Sequence, residues 1–379
     1  MADAQTGRRL NLIQNRVIFL ADFDYFFAQC EELRNPTIKD KPIVVGVYSG
    51  RTEDSGAVST SNYIARKYGV KSGLPLFMAK KKLEGTDAVF FKVDHEYYDQ
   101  ISSRIMQIFR GYATALEQVS VDEAYMDVTE QVEGSFEKTR EYAQKIKADV
   151  KTQVGITSTI GVGPNKLVAK IACDSQKPDG LTIIKPHEAK TFLAPLPVDR
   201  LLGVGKKTTV KMSEMGIKTI GELAKYDCQV LVEVFGKAMG IYFHNAANAV
   251  DNDPVQEQGE AESISKIGTL KQDTHDLDFI LQKTDELSDF VIKEVSSKGY
   301  SYKTVTIYVV NVDLSSKTRS ITLEQPSKDK ETITRNVRIL FEKFLAESPL
   351  EIRRVGVKVS GFSKEQRQQK QLTSFFTSG

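Results

Sequence analysis

The stretch Ser120–Val128 reads SVDEAYMDV. Val119, Val121, Ala124, Tyr125, Met126 and Val128 are apolar or aromatic, the composition of a largely buried strand. Asp122 and Glu123 nevertheless stand side by side inside it. Two carboxylates about 4 Å apart repel by roughly 4 kcal/mol at an effective dielectric near 20, and burial makes this worse. Protonation of one acid, a Lys or Arg partner, or a bound cation each relieves the repulsion. Neighbours on a strand also point to opposite faces, so Glu123 could simply face water. By itself the pair reads as surface chemistry.

A second stretch changes that reading. Val17–Ala28 is VIFLADFDYFFA, a short apolar run that ends in Asp22 and Asp24. Two strands distant in sequence, each with acids at its polar end, can lie side by side in one sheet. Three carboxylates and a backbone carbonyl then make an all-oxygen cage, which suits Mg²⁺. Two such ions are the equipment of in-line phosphoryl transfer.

The rest of the chain organises around these strands. Lys41–Ser49, KPIVVGVYS, is a further apolar run, and SNYIARKYG after it reads as a helix closed by Gly69. Ile101, Ile105, Ile108 and Phe109 recur at helical spacing. A helix over 137–150 and the strand in ITSTIGVGPNK complete an α+β sheet domain to about residue 182. Residues 183–248 turn mostly helical, with a Gly-x-Gly turn in LLGVGKKT, and the acidic, apolar-poor 249–261 reads as a linker. Beyond it, Val305, Ile307 and Val309 alternate with Thr304, Thr306 and Tyr308, and RRVGVKVSGF alternates too. With helical stretches near 279–297 and 331–346 they form a small α+β domain ending near residue 363.

Composition sets the outer bounds. A chain of 379 residues with a net charge of only +2 suggests two to four domains and says nothing by itself about nucleic acid. Cys30, Cys173 and Cys228 are too few and too scattered for a disulfide framework or a zinc site, which points to a reducing, cytoplasmic setting. No signal-peptide pattern or membrane-length apolar run is present in the sequence.

LADFDYFFAQCEE, SGRTEDSGAVSTSNYIARKYGVKSGLPL, SVDEAYMDV and KPDG together resemble the Y-family, translesion DNA polymerases, in particular the DNA polymerase IV branch in its archaeal form. The resemblance runs from about residue 16 to the C-terminus. It implies a multidomain α+β, right-hand polymerase: palm 1–25 and 95–182, small fingers 26–94, a helical thumb 183–248 with a helix-hairpin-helix, linker 249–261, little finger 262–363 and a tail 364–379. It implies a template-directed DNA polymerase of low fidelity and without proofreading, acting through two Mg²⁺ for which Mn²⁺ can substitute.

By the same resemblance Asp22, Asp122 and Glu123 are the catalytic, metal-binding carboxylates, with the Phe23 carbonyl as a further ligand, while Asp24 and Asp127 have structural roles. Thr60, Tyr63 and Arg66 match a triphosphate clamp, and Tyr63 and Arg66 share a helical face. Lys177 matches a phosphate-contacting lysine, and Phe27 a steric gate against the ribose 2′-hydroxyl. Small residues (Gly46, Gly50, Gly56, Ala57, Ser59) match the roof over the templating base. Gly203, Gly205, Lys206 and Lys207 would hold a DNA phosphate at a helix start, and Arg353 and Arg354 would add contacts from the little finger. Gln369, Leu372, Phe375 and Phe376 are spaced like a motif that binds sliding clamps of the PCNA type. The partners implied are primer-template DNA, dNTPs and a clamp, with a monomeric enzyme and no membrane. Two rivals are a non-catalytic DNA-binding scaffold recruited to stalled forks and a palm-fold nucleotide cyclase.

Overall fold

The computed structural model describes residues 16–257 and 259–364. They fall into two compact units. One is built from the described parts of Met1–Gly46, Val58–Leu74 and Ala79–Gln258, the other from Val47–Ala57, Pro75–Met78 and the described part of Gly259–Gly379.

The elements of the chain's first two-thirds are β1 (Ile18–Phe23), α1 (Phe26–Arg34), β2 (Ile43–Tyr48), β3 (Gly56–Ser61), α2 (Tyr63–Lys67), α3 (Leu76–Lys82), β4 (Val89–Lys92), α4 (His95–Arg110), β5 (Ala115–Gln118), β6 (Glu123–Asp127), α5 (Thr139–Val154), β7 (Ser158–Gly163), α6 (Lys166–Ser175), β8 (Leu181–Ile183), α7 (Ala189–Leu193), α8 (Lys206–Glu214), α9 (Ile220–Leu223), α10 (Cys228–Phe235) and α11 (Lys237–Ala247). A five-stranded sheet runs β5-β6-β1-β7-β8, with β1 central and antiparallel to both β6 and β7. Phe19, Ala21, Phe23, Ala124 and Met126 pack into a core shared with Ile105 and Phe109 of α4 and Ile146 and Val150 of α5. Ile18, Leu20 and Tyr125 pack on the other side with Ala169 and Cys173 of α6. Burial on both faces is why β1 reads as a continuous apolar run rather than an alternating one.

Helix α6 sits unusually close to the sheet. A Cβ on Gly161 of β7 would fall 2.1 Å from the Ala169 carbonyl oxygen and 2.2 Å from the Cys173 nitrogen. Only glycine permits that approach, and α6 is thereby pressed against the middle of the sheet. The Asn165 side chain caps its start by accepting from the Val168 N–H at 2.9 Å.

The smaller sheet, β3-β2-β4, pairs β2 and β4 in parallel. Helices α7–α11 enclose a separate core around Leu193, Met212, Ile220, Leu231 and Phe243. The acidic segment read as a linker is docked over its first half. Val255 is buried beside Ile18, Leu20 and Tyr125. The Asn165 amide donates to the Ala249 carbonyl at 2.8 Å, the Leu167 N–H to Asp251 at 3.0 Å, and Arg16 to the Asp253 carbonyl at 2.7 Å. Val255 and these hydrogen bonds together anchor it.

In the second unit, β9 (Ser263–Thr274), α12 (Leu277–Ser297), β10 (Tyr300–Asn311), β11 (Ser316–Ser327), α13 (Lys330–Glu347), β12 (Ile352–Ser360) and β13 (Ser363–Lys364) follow in order. The sheet runs β11-β10-β12-β9, with β13 added to β10. Val305, Ile307 and Val309 turn inward onto Val291 of α12 and Phe341 of α13, so the alternation in the sequence marks the inner face. Among the described residues no helix is long and apolar enough to cross a membrane.

Candidate active site

The site forms where β1 ends and β6 begins. Their antiparallel register sets Ala21 opposite Ala124 and Asp22 opposite Glu123. Strand β6 starts at Glu123, so Asp122 lies in the preceding turn rather than within the strand. That turn is tied to β1, because the Phe23 N–H donates to the Asp122 carbonyl at 2.8 Å. The adjacent acids therefore do not share a pleated surface. The Asp122 side chain accepts the Ser120 hydroxyl at 2.5 Å.

Two lysines neutralise the facing pair. Lys170 Nζ lies 2.6 Å from Glu123 Oε2 and 3.8 Å from Asp22 Oδ2. Lys177 Nζ lies 2.5 Å from Asp22 Oδ2 and 3.1 Å from Asp174 Oδ1. Burial pushes the Asp22 carboxyl up to about 6, against the opposing pull of Lys177 and Lys170. Burial works against the Lys177 ammonium, yet the charge and hydrogen bond of Asp22 outweigh it and raise its pKa.

Of the residues expected from sequence to hold the nucleotide, Tyr63 lies near enough to feel the charges of Asp22 and Lys177. Arg66 lies 4.6 Å over the Tyr63 ring and donates to the Ser61 carbonyl at 3.0 Å, so the two share one face of α2. The hydroxyl of Tyr63 is raised chiefly by burial, and it feels the charges of Arg66, Asp24, Lys177 and Asp22. Thr60 is partly buried at the end of β3. Phe27 stacks on Tyr98 at 4.4 Å and 20°. Tyr98 is itself fixed by donating its hydroxyl to Glu31 at 2.7 Å, which leaves the Phe27 ring little freedom.

Comparison with known proteins bears on this geometry. Residues 21–174 match the impB/mucB/samB family, 261–373 the C-terminal domain of that family, and 199–251 the thumb domain of DNA polymerase-iota. The chain is 43% identical over 365 residues to a DNA polymerase IV of Nitrosopumilus maritimus, covering 96% of this chain and 100% of that protein. It is 35% identical to a DNA polymerase IV of Saccharolobus solfataricus, with 90% and 95% covered. The chain belongs to the DNA polymerase IV family of Y-family polymerases. Among solved structures, the Y-family DNA polymerase chimera Dbh-Dpo4(243-245)-Dbh is similar at TM-score 0.86 and 34% identity, covering 92% of this chain and 99% of that one. An insertion ternary complex of Dbh DNA polymerase is similar at TM-score 0.66 and 34% identity, with 91% and 98% covered.

The activity of the polymerase is thus DNA-directed DNA synthesis, and enzymes of this family depend on divalent metal ions. The donors fit such an ion in kind, since Asp22, Asp122 and Glu123 are hard oxygen ligands beside the Phe23 carbonyl. With Asp122 turned to Ser120, no three acidic, His or Cys side chains converge on one point among the described residues.

Lys170 and Asp174 were not singled out from sequence. Their signal was available: Lys170 and Asp174 are spaced i, i+4, so they share one helical face, and Lys177 follows in the turn after the helix. Gly203 has φ +80°, and Gly205 precedes the exposed Lys206 and Lys207 at the start of α8. In the second unit, Arg353 grips Asp273 through two nitrogens at 2.8 and 3.2 Å, while Arg354 is exposed. Gln369, Leu372, Phe375 and Phe376 fall outside the described residues.

Proposed function

We propose that the polymerase carries out low-fidelity translesion synthesis without proofreading, joining an incoming dNTP to a primer on template DNA. The observation that carries this reading is the antiparallel register that faces Asp22 with Glu123, their charge balanced by lysines rather than by solvent. Asp22, Asp122, Glu123 and the Phe23 carbonyl would hold two Mg²⁺, or Mn²⁺ in their place, once Asp122 leaves Ser120. When bound, the ions would supply charge neutralisation at the attacking and leaving oxygens.

The chain's own groups do the rest. Arg66 and the Tyr63 hydroxyl, with Thr60, offer hydrogen-bond donors to the triphosphate. Lys177 exchanges Asp22 for a phosphate oxygen. Phe27, held by Tyr98, closes the space a 2′-hydroxyl would need. Small residues from Gly46 to Ser59 leave the roof over the templating base loose, which admits damaged bases and lowers selectivity. The Gly203–Lys207 turn and Arg354 hold duplex phosphates. Arg353 contributes to DNA only if it gives up Asp273. The polymerase acts as a cytoplasmic monomer and engages a sliding clamp through its tail.

The test is primer extension. Asp122→Ala and Glu123→Ala each abolish nucleotide addition and leave primer-template affinity within about twofold, because the phosphates are held elsewhere. Retention of more than a few percent of wild-type turnover by either variant refutes the assignment.

A further inference from the structure

Asp24 is only two residues from Asp22, but it is 1% exposed and serves a different purpose. Its carboxylate accepts three hydrogen bonds: from the Thr159 hydroxyl at 2.7 Å, the Thr157 hydroxyl at 3.0 Å and the Asp179 backbone N–H at 2.9 Å. No ion pair to Asp24 forms among the described residues, so backbone and hydroxyl donors alone compensate the buried group. The two threonines sit at the start of β7, whereas Asp179 belongs to the Lys177–Gly180 turn that follows α6.

That turn is clasped from several sides. The Gly180 N–H donates to the Thr159 hydroxyl at 3.3 Å, so Thr159 links the Asp24 carboxylate to the turn a second time. Lys147 on α5 donates to the Asp179 and Gly180 carbonyls at 2.5 and 2.9 Å. Asp179 itself adopts φ +52°, a left-handed conformation uncommon for non-glycine residues but one that Asp tolerates better than most. The acids at the end of β1 thus divide the work. Asp22 holds the Lys177 ammonium, and Asp24 holds the backbone from which Lys177 extends.

We propose that Asp24 is a positioning residue for the incoming nucleotide, fixing the Lys177–Gly180 turn so that the Lys177 ammonium reaches the triphosphate. This rests on the reading of Lys177 as a phosphate contact. A charged acceptor makes stronger hydrogen bonds than a neutral one, so an amide at this position loosens the turn without changing its volume.

The experiment is a double-mutant cycle on the full-length enzyme, reading dNTP Kd and maximal rate by single-turnover incorporation and DNA affinity by anisotropy. Asp24→Asn is expected to raise dNTP Kd about tenfold, with DNA affinity within about twofold of wild type. In a Lys177→Ala background the same substitution is expected to change dNTP Kd by less than about twofold, since its effect passes through Lys177. Equal effects in the two backgrounds, or an unchanged Kd in the Asp24→Asn enzyme, overturn the inference. An unchanged dNTP Kd in Lys177→Ala alone overturns the phosphate reading, and the inference with it. If Asp24→Asn does not fold, Thr159→Val is judged by the same two criteria.

Discussion

At the scale of the residue, the site works by holding a few side chains in narrow choices. The Phe27 ring lies flat against Tyr98, and Tyr98 is held by Glu31, so the gate proposed for Phe27 would be stiff as well as bulky. Phe27→Ala removes a clash rather than an attraction. Ribonucleotide use should rise far more than dNTP use falls, measured as the ratio of kcat/KM for rNTP and dNTP on one template. An unchanged ratio assigns Phe27 to the core alone. Asp273 offers a pH test outside the site. The Arg353 guanidinium holds its carboxyl well below the usual carboxylate range. A depressed acid stabilises the folded state above its unfolded pKa of about 3.9, and that contribution is lost as pH falls from there through the folded value. Asp273→Asn should therefore be less stable than wild type in urea at pH 7, with the gap narrowing at pH 3. A constant gap would mean that packing, and not charge, sets the cost. The charges were legible as residue types in the sequence. Their pairings were not, because an ion pair between Asp273 and Arg353, 80 positions apart, leaves no local pattern.

Elements matter here chiefly through one contact, that of α6 on β7. The helix delivers Lys170 and Asp174 to the acids at the end of β1, and its closeness depends on Gly161. A methyl group there meets backbone atoms, which cannot rotate away. Gly161→Ala should destabilise the protein by about 3 kcal/mol in urea unfolding, at the upper end of ordinary overpacking. It should also weaken catalysis in the fraction that remains folded, because α6 moves off the sheet with its lysines. A loss below about 1 kcal/mol would show that the helix shifts freely. The glycine was visible in ITSTIGVGPNK, but as one of two glycines near a turn; its purpose appears only when the helix lies on top of it.

For the whole molecule, the tail carries the remaining prediction. If the clamp reading holds, burying Leu372, Phe375 and Phe376 in a partner is worth roughly 1.5 to 3 kcal/mol each, less the conformational entropy lost on binding. Affinity for a clamp on the order of micromolar follows. Deleting 369–379 should leave distributive synthesis on bare primer-template unchanged and remove stimulation by a cognate clamp. Equal stimulation of the truncated and intact enzymes would dismiss the motif.

Much of this protein was determined by local sequence. The apolar run before Asp22, the inward Val305, Ile307 and Val309, and the two helices of the second unit all follow from periodicity and composition, and the structure has them where the sequence put them, whereas of the acid pair after Val121 only Glu123 lies in the strand. Tertiary structure decided the relations among those pieces. That Asp22 faces Glu123 is a matter of register between strands a hundred positions apart. The same holds for Lys170 reaching Glu123, for Val255 anchoring an otherwise polar segment, and for Asp24 gripping the turn that bears Lys177. Periodicity reports which face of an element is buried. What it meets there depends on long-range packing, which no window of sequence contains.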